Sequence, residues 1–250
     1  MSRDLRSGDL VATGEKPIEA DTAYYEAFFK SCESIVSSQL KSPHLSFGGT
    51  YKMCEAEDLG ISPKKLLHIQ VLNTKLALLN DNNADLSGAD KELERLTLLK
   101  RTVPELNGQK AVEPVKLSTL IDKGLAMCSE QSIMAQTYLQ RQGIESCLCR
   151  AKLFQDTKNG ITADAHHFLV INDNNRMFVY DPLNIKSTGR PRVYNTGLTK
   201  DEFMQKAASK ETFILDFEPE TPKHANRFDI GDTHHLGYGL FRRSKISSKL

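Results

Sequence analysis

Tryptophan is missing from this 250-residue chain, and aromatic residues of all kinds make up only 7% of it. A core without indoles is filled by aliphatic side chains, and an apolar content of 39% supplies enough of them at this length. Neither sign of charge is in excess. Lys and Arg number 33 and Asp and Glu 32, for a formal net charge of +1, so no global field draws in nucleic acid or an anionic membrane. No apolar run approaches the roughly 20 residues that span a bilayer. The opening Met1-Ser-Arg-Asp-Leu-Arg has none of the apolar character of a secretory leader. The five cysteines, Cys32, Cys54, Cys128, Cys147 and Cys149, are odd in number and irregularly spaced, which argues against a disulfide framework. No Asn-x-Ser/Thr sequon occurs. These absences point to a reducing place of work: the cytoplasm of the producing cell, or a host cytosol reached through a specialised delivery system. The terminal Ser248-Lys249-Leu250 would be a peroxisomal address in a eukaryotic cell. His-Glu-x-x-His, a Walker A loop and a dinucleotide fingerprint are all absent.

What is present divides the chain into four stretches. Residues 1–20 are polar and without periodicity and are expected to form a flexible arm. Residues 21–116 read as a helical part. One helix is expected after Asp21, with Tyr24, Phe28 and Ile35. A second opens at Ser62-Pro63, with Ser as cap and Pro at the first helical position, and carries Leu66, Ile69, Leu72, Leu76 and Leu79 at helical spacing. A third, beyond a polar loop at Asn80–Asp85, places Leu93, Leu96 and Leu99 on one face. Residues 117–218 change character. A helix over Ser129–Gln142 ends at Gly143, a good C-cap. Strands are expected over Cys147–Phe154, His166–Ile171, Met177–Asp181 and Phe213–Phe217. Asn172-Asp-Asn-Asn175 supplies the chemistry of a hairpin turn, and Thr199-Lys-Asp-Glu202 is a capping box. Residues 219–250 read as a polar tail with a basic end.

Cys128 falls near the start of the predicted helix. A cysteine there faces unpaired backbone N–H groups and the positive end of the helix dipole, both of which favour the nucleophilic thiolate. The same N–H groups can receive an oxyanion formed when a carbonyl is attacked. The thiolate needs a proton carrier that works near neutral pH, and His166 and His167 follow by 38 and 39 residues. The imidazole in turn needs a carboxylate to orient it, and Asp181 closes the next strand. Alternate residues of a strand face opposite ways. A two- or four-residue turn within Asn172–Asn175 therefore puts His166 on the face of Asp181, whereas a three-residue turn selects His167. His166 is the expected base and His167 the alternative.

The order and spacing resemble the transglutaminase-like branch of the papain-like cysteine enzymes, which includes bacterial glutamine-deamidase effectors. In that branch a nucleophilic Cys starts a helix ending in Gly-Ile, followed by a His-x-aromatic strand and a strand ending Asp-Pro. Here the helix from Cys128 runs to Gly143-Ile144, the next strand opens His166-His167-Phe168, and the third closes Val179-Tyr180-Asp181-Pro182. The fifteen residues from His166 to Asp181 match the usual interval. Phe168 and Met177 stand where the family often has Trp. The resemblance covers roughly residues 117–218. It implies an α+β fold in which an antiparallel sheet is crossed by the helix bearing the nucleophile, with Cys128 as nucleophile, His166 as base and Asp181 as orienting acid. It also implies acyl transfer at a carbonyl, on a protein glutamine or a peptide, without cofactor or metal. Gln109 is a candidate oxyanion donor on residue type alone.

Rival motifs are weaker. Asp81, Asn83, Asp85, Ser87, Ala89 and Glu92 loosely follow calcium-loop positions, but Leu86 stands where that loop needs Gly. His234 and His235, with Asp229 and Asp232, offer metal-binding side chains without the spacing of a zinc motif. Cys147 and Cys149 share one face of a strand, as core residues do. A non-catalytic binding module on the same fold is the alternative from another functional class.

Overall fold

The computed structural model describes residues 7, 9–11, 18–41, 59–82, 88–99, 114–157, 160–183, 192–208, 214–217 and 226–229. The chain is mixed helix and strand, an α+β arrangement. It opens with β1 (Asp9–Val11) and β2 (Ile18–Ala20), which pair antiparallel. A 3-10 turn over Thr22–Tyr25 then leads into α1 (Glu26–Lys41). Next come α2 (Pro63–Asn82) and α3 (Gly88–Leu99). β3 (Val115–Lys116) joins β2 in parallel, and α4 (Leu117–Asp122) follows at once. Two of the expected boundaries shift here. Part of the expected flexible arm, residues 1–20, is strand, and Ile18 and Ala20 are fully buried. The last two residues of the expected helical part, Val115 and Lys116, are the parallel strand that pairs with β2.

α5 (Cys128–Arg141) is the central helix. Every residue from Ser129 to Leu139 is buried, so it has no polar outer face of the kind a surface helix shows. It ends as its sequence suggests. Gly143 takes φ +68°, its N–H reaches the Gln140 carbonyl and the Ile144 N–H reaches that of Leu139, which stops the helix in a Schellman turn.

The main sheet contains β4 (Ser146–Thr157), β5 (Gly160–Asp173), β6 (Arg176–Asp181), β7 (Arg192–Thr199), β8 (Ile214–Phe217) and β9 (Asn226–Asp229). Its order is β7-β6-β5-β4-β9-β8, antiparallel throughout. β9 lies inside what reads from sequence as a polar tail. Between β7 and β8, α6 (Lys200–Ala208) opens with the expected capping box, in which Glu202 accepts the Thr199 N–H at 2.8 Å.

Alternation divides the buried sheet residues between two faces. Leu169, Ile171, Phe178, Tyr180 and Val193 join one core with Ile133, Met134, Tyr138 and Leu139 of α5 and with Leu66, Ile69, Leu72 and Leu76 of α2. Each such aliphatic side chain contributes about 1.5–3 kcal/mol by leaving water. Cys147, Cys149, Phe168, Val170, Met177 and Val179 occupy the opposite alternation and are buried as well. Polar ties set the layers: Tyr180 donates to Asn73 at 3.0 Å, and Tyr138 meets His68 Nδ1 at 2.9 Å.

Two expectations about the helices change in detail. α2 starts at Pro63, but the Ser62 hydroxyl is given to Asp173, at 2.9 and 2.7 Å from its two oxygens, rather than to the helix end. Lys65 also bonds Asp173, at 2.7 Å, so this buried carboxylate pins the start of α2 to the end of β5. In α3, Leu99 is buried but Leu93 is 67% exposed, so those two do not share a core face. Among the described residues, no helix is long and apolar enough to cross a membrane.

Candidate active site

The hairpin between β5 and β6 determines which histidine meets the carboxylate. Asn174 and Asn175 both take positive φ, 50° and 64°, as the two central residues of a tight turn closed by Asp173 and Arg176. This two-residue turn gives the register Leu169↔Tyr180 and Val170↔Val179. Extended along the strands, it places His166 and Asp181 on the same face. Their side chains meet: His166 Nε2 is 2.7 Å from Asp181 Oδ2. Asp181 Oδ1 accepts the Leu183 N–H at 3.2 Å, which fixes the carboxylate from its other side. His166 and Asp181 are 5% and 1% exposed, so their charges act with little screening by water.

Cys128 is the first residue of α5 and is half-buried. Its Sγ lies 4.0 Å from Nδ1 of His167, the outer limit for a sulfur contact. Cys128 is a hydrogen-bond and charge partner of His166 as well. Since Nε2 of His166 is held by Asp181, Nδ1 is the nitrogen left for the sulfur. The structure thus brings Cys128, His166, His167 and Asp181 together.

The two imidazoles are driven in opposite directions. Burial alone would depress His166, but the charge and hydrogen bond of Asp181, with Cys128 beside it, outweigh that penalty and push it up to about 10. His166 is therefore an imidazolium at neutral pH. His167 is pulled down to about 3 by burial, reinforced by the charges of Arg150, His166 and Arg95. It is neutral at any ordinary pH.

The start of α5 is itself built by a buried ion pair. Intrahelical bonding begins with the Gln131 N–H on the Met127 carbonyl, at 3.1 Å, so the N–H groups of Cys128, Ser129 and Glu130 precede the ladder. Glu130, fully buried, turns its carboxylate back to accept the Met127 N–H at 2.7 Å. It also accepts the Ser129 hydroxyl at 2.8 Å and faces Arg95 of α3 at 2.9 Å. Sequence reading missed Arg95 and Glu130. The one cue was Glu at the third helical position, and it is obscured because Met127, which cannot cap, precedes the helix.

Other candidates fare differently. Gln109 lies outside the described residues, as do Cys54, Asp232, His234 and His235; Asp229 is in β9. Of the calcium-loop positions, Asp81 belongs to the end of α2, where an open loop was expected, and Ala89 and Glu92 belong to α3, while 83–87 lie outside the described residues. Cys147 and Cys149 form no disulfide and are buried on the sheet face away from α5, and burial pushes the Cys149 thiol well up. No group of three or more metal-ligating side chains occurs among the described residues.

No family model, no curated protein and no solved structure matches this chain.

Proposed function

We propose that the chain is a cysteine-dependent acyl-transfer enzyme of transglutaminase-like or papain-like architecture that acts on a protein glutamine carboxamide. The observation that carries this reading is the gathering of a half-buried sulfur at a helix N-terminus, 4.0 Å from His167 Nδ1, with the neighbouring His166 imidazole bonded at 2.7 Å to the buried Asp181 carboxylate. A helix bearing the nucleophile, packed on an antiparallel sheet whose adjacent strands bear the other two groups, is the architecture this chemistry uses elsewhere.

In the reaction, the Cys128 thiolate attacks the carboxamide carbon and a carbon–sulfur bond forms. Charge develops on the carbonyl oxygen, towards which the N–H groups at the start of α5 are available. His166 gives its proton to the amine, the carbon–nitrogen bond breaks and ammonia leaves a thioester. Water then attacks the thioester while His166 takes its proton, and a carboxylate and the free thiolate result. Asp181 keeps the imidazole oriented and stabilises its charged form. The overall reaction is deamidation. An amine in place of water would give transglutamination.

Incubation of the wild-type chain with glutamine-rich protein substrates should release ammonia, and Cys128→Ala and His166→Ala should abolish the release. Cleaved peptide without ammonia would instead assign a thiol protease with the same three residues. Unchanged biological activity in Cys128→Ala would show that the fold serves as a binding module.

A further inference from the structure

Arg95 links α3 to the start of α5 at the candidate active site. Arg95 donates to the Leu125 carbonyl at 2.7 Å, to Ser129 Oγ at 3.3 Å and to Glu130 Oε1 at 3.0 Å, with a further contact of 2.9 Å to Glu130 Oε2. The side chains of Arg95 and Glu130 are 13% and 0% exposed. The consequence is electrostatic. A full negative charge sits in the first turn of the helix whose first residue is the nucleophile. Such a charge is itself stabilised by the helix dipole, and it opposes a second negative charge forming on a sulfur two residues earlier. A guanidinium on the same carboxylate cancels that opposition.

We propose that Arg95 is a positioning residue for Cys128: by holding and neutralising Glu130, it fixes the α5 N-terminus and leaves the positive end of that helix to the sulfur. This rests on Cys128 being the nucleophile. The charged and titratable groups around the sulfur are His166 and His167 of β5, Asp181 of β6 behind His166, Arg150 of β4 beside His167, Glu130 of α5 and Arg95 of α3. The Arg95–Glu130 pair can be changed with both histidines and Asp181 left in the sequence, although the Arg95 charge also bears on His167.

A charge role and a purely structural role predict different patterns. Arg95→Met leaves Glu130 uncompensated, so the pH midpoint for alkylation of Cys128 moves up, by about one unit. Glu130→Gln keeps an acceptor for the Met127 N–H and leaves Arg95 uncompensated, so the midpoint moves down by a similar amount. The double variant returns close to wild type, and Arg95→Lys stays close to it.

The experiment is iodoacetamide alkylation of Cys128 across pH, located by mass spectrometry, in the full chain, these four variants and His166→Ala. Opposite shifts in the single variants, cancelled in the double, support the proposal. Shifts in the same direction, or none, overturn it. Should Arg95→Met fail to fold, Glu130→Gln is compared with the double variant. A lower midpoint in Glu130→Gln alone supports the proposal, and equal midpoints overturn it. The nucleophile reading fails separately, and this inference with it, if wild-type Cys128 alkylates no faster than Cys32, Cys147 and Cys149 and is indifferent to His166→Ala.

Discussion

Asp181→Asn separates the charge of the buried carboxylate from its shape. Asparagine keeps an oxygen for the Leu183 N–H, bonded at 3.2 Å, and occupies nearly the same volume. It removes the charge that outweighs burial at His166 and holds that imidazole at about 10. A histidine raised from its ordinary 6.5 to about 10 binds its proton more tightly in the folded than in the unfolded chain. Its contribution is therefore complete below pH 6.5 and fades as pH rises through 10. Converted at about 1.36 kcal/mol per pH unit, the difference is on the order of 5 kcal/mol, an upper figure. Urea unfolding followed by circular dichroism should show Asp181→Asn losing about 3–5 kcal/mol at about pH 6, with most of that deficit gone at about pH 11. An equal loss at both values would refute the argument, because a packing defect does not titrate. The same substitution offers His166 Nε2 a donor in place of an acceptor, which moves the ring proton to Nδ1, the side of the sulfur. Any Cys128-dependent turnover should then fall by roughly 10⁴-fold, the scale set by the wrong tautomer in a comparable triad.

Two further expectations concern the frame around the site. Gly143→Ala should cost about 1 kcal/mol in thermal unfolding: the added methyl meets nothing within 4 Å, so the penalty is that of φ +68° alone, and a negligible change would mean the turn is not held as described. Asp173→Ala should cost about 2–3 kcal/mol by removing the acceptor of the Ser62 N–H and the charge that faces Lys65, with Asp173→Asn recovering part of it; equal losses in the two variants would show that the charge carries the whole effect and the acceptor oxygen contributes nothing.

The parts of the fold legible in the sequence are those governed by local rules. Pro63 at the first helical position marks the start of α2, Gly143 the end of α5 and Thr199–Glu202 the start of α6, because caps and turns are chemistry between near neighbours. The asparagines at 174 and 175 bound the choice of histidine for the same reason: turn length fixes register, and register fixes which face each side chain takes. Features that depend on distant partners were not legible. β1 and β2 are three residues each, too short for any period to emerge, and become strands only because β3 lies beside β2. β9, Asn226-Arg-Phe-Asp229, holds a single apolar residue and reads as tail. The pairing of Arg95 with Glu130 joins residues 35 apart on two helices, where an ordinary charged helix face is the natural reading. Leu93 illustrates the reverse case, an apolar residue at core spacing that faces outward.

The place of β9 in the sheet bears on how the chain reaches its folded state. β4, β5 and β6 form consecutive hairpins, and the contacts between them close over short loops. β9 must travel back from residue 226 to lie along β4, and β8, which precedes it in the chain, is joined to the sheet through β9. The last-made strand is thus an interior one. Until it docks, the outer edge of β4 presents unpaired backbone groups that another chain can extend. Closing so long a loop is the slow step expected of such a topology. The edge of β4 is therefore where a folding intermediate of this protein would be most open to self-association, and the arrival of β9 is the event that covers Lys152–Phe154 of that edge.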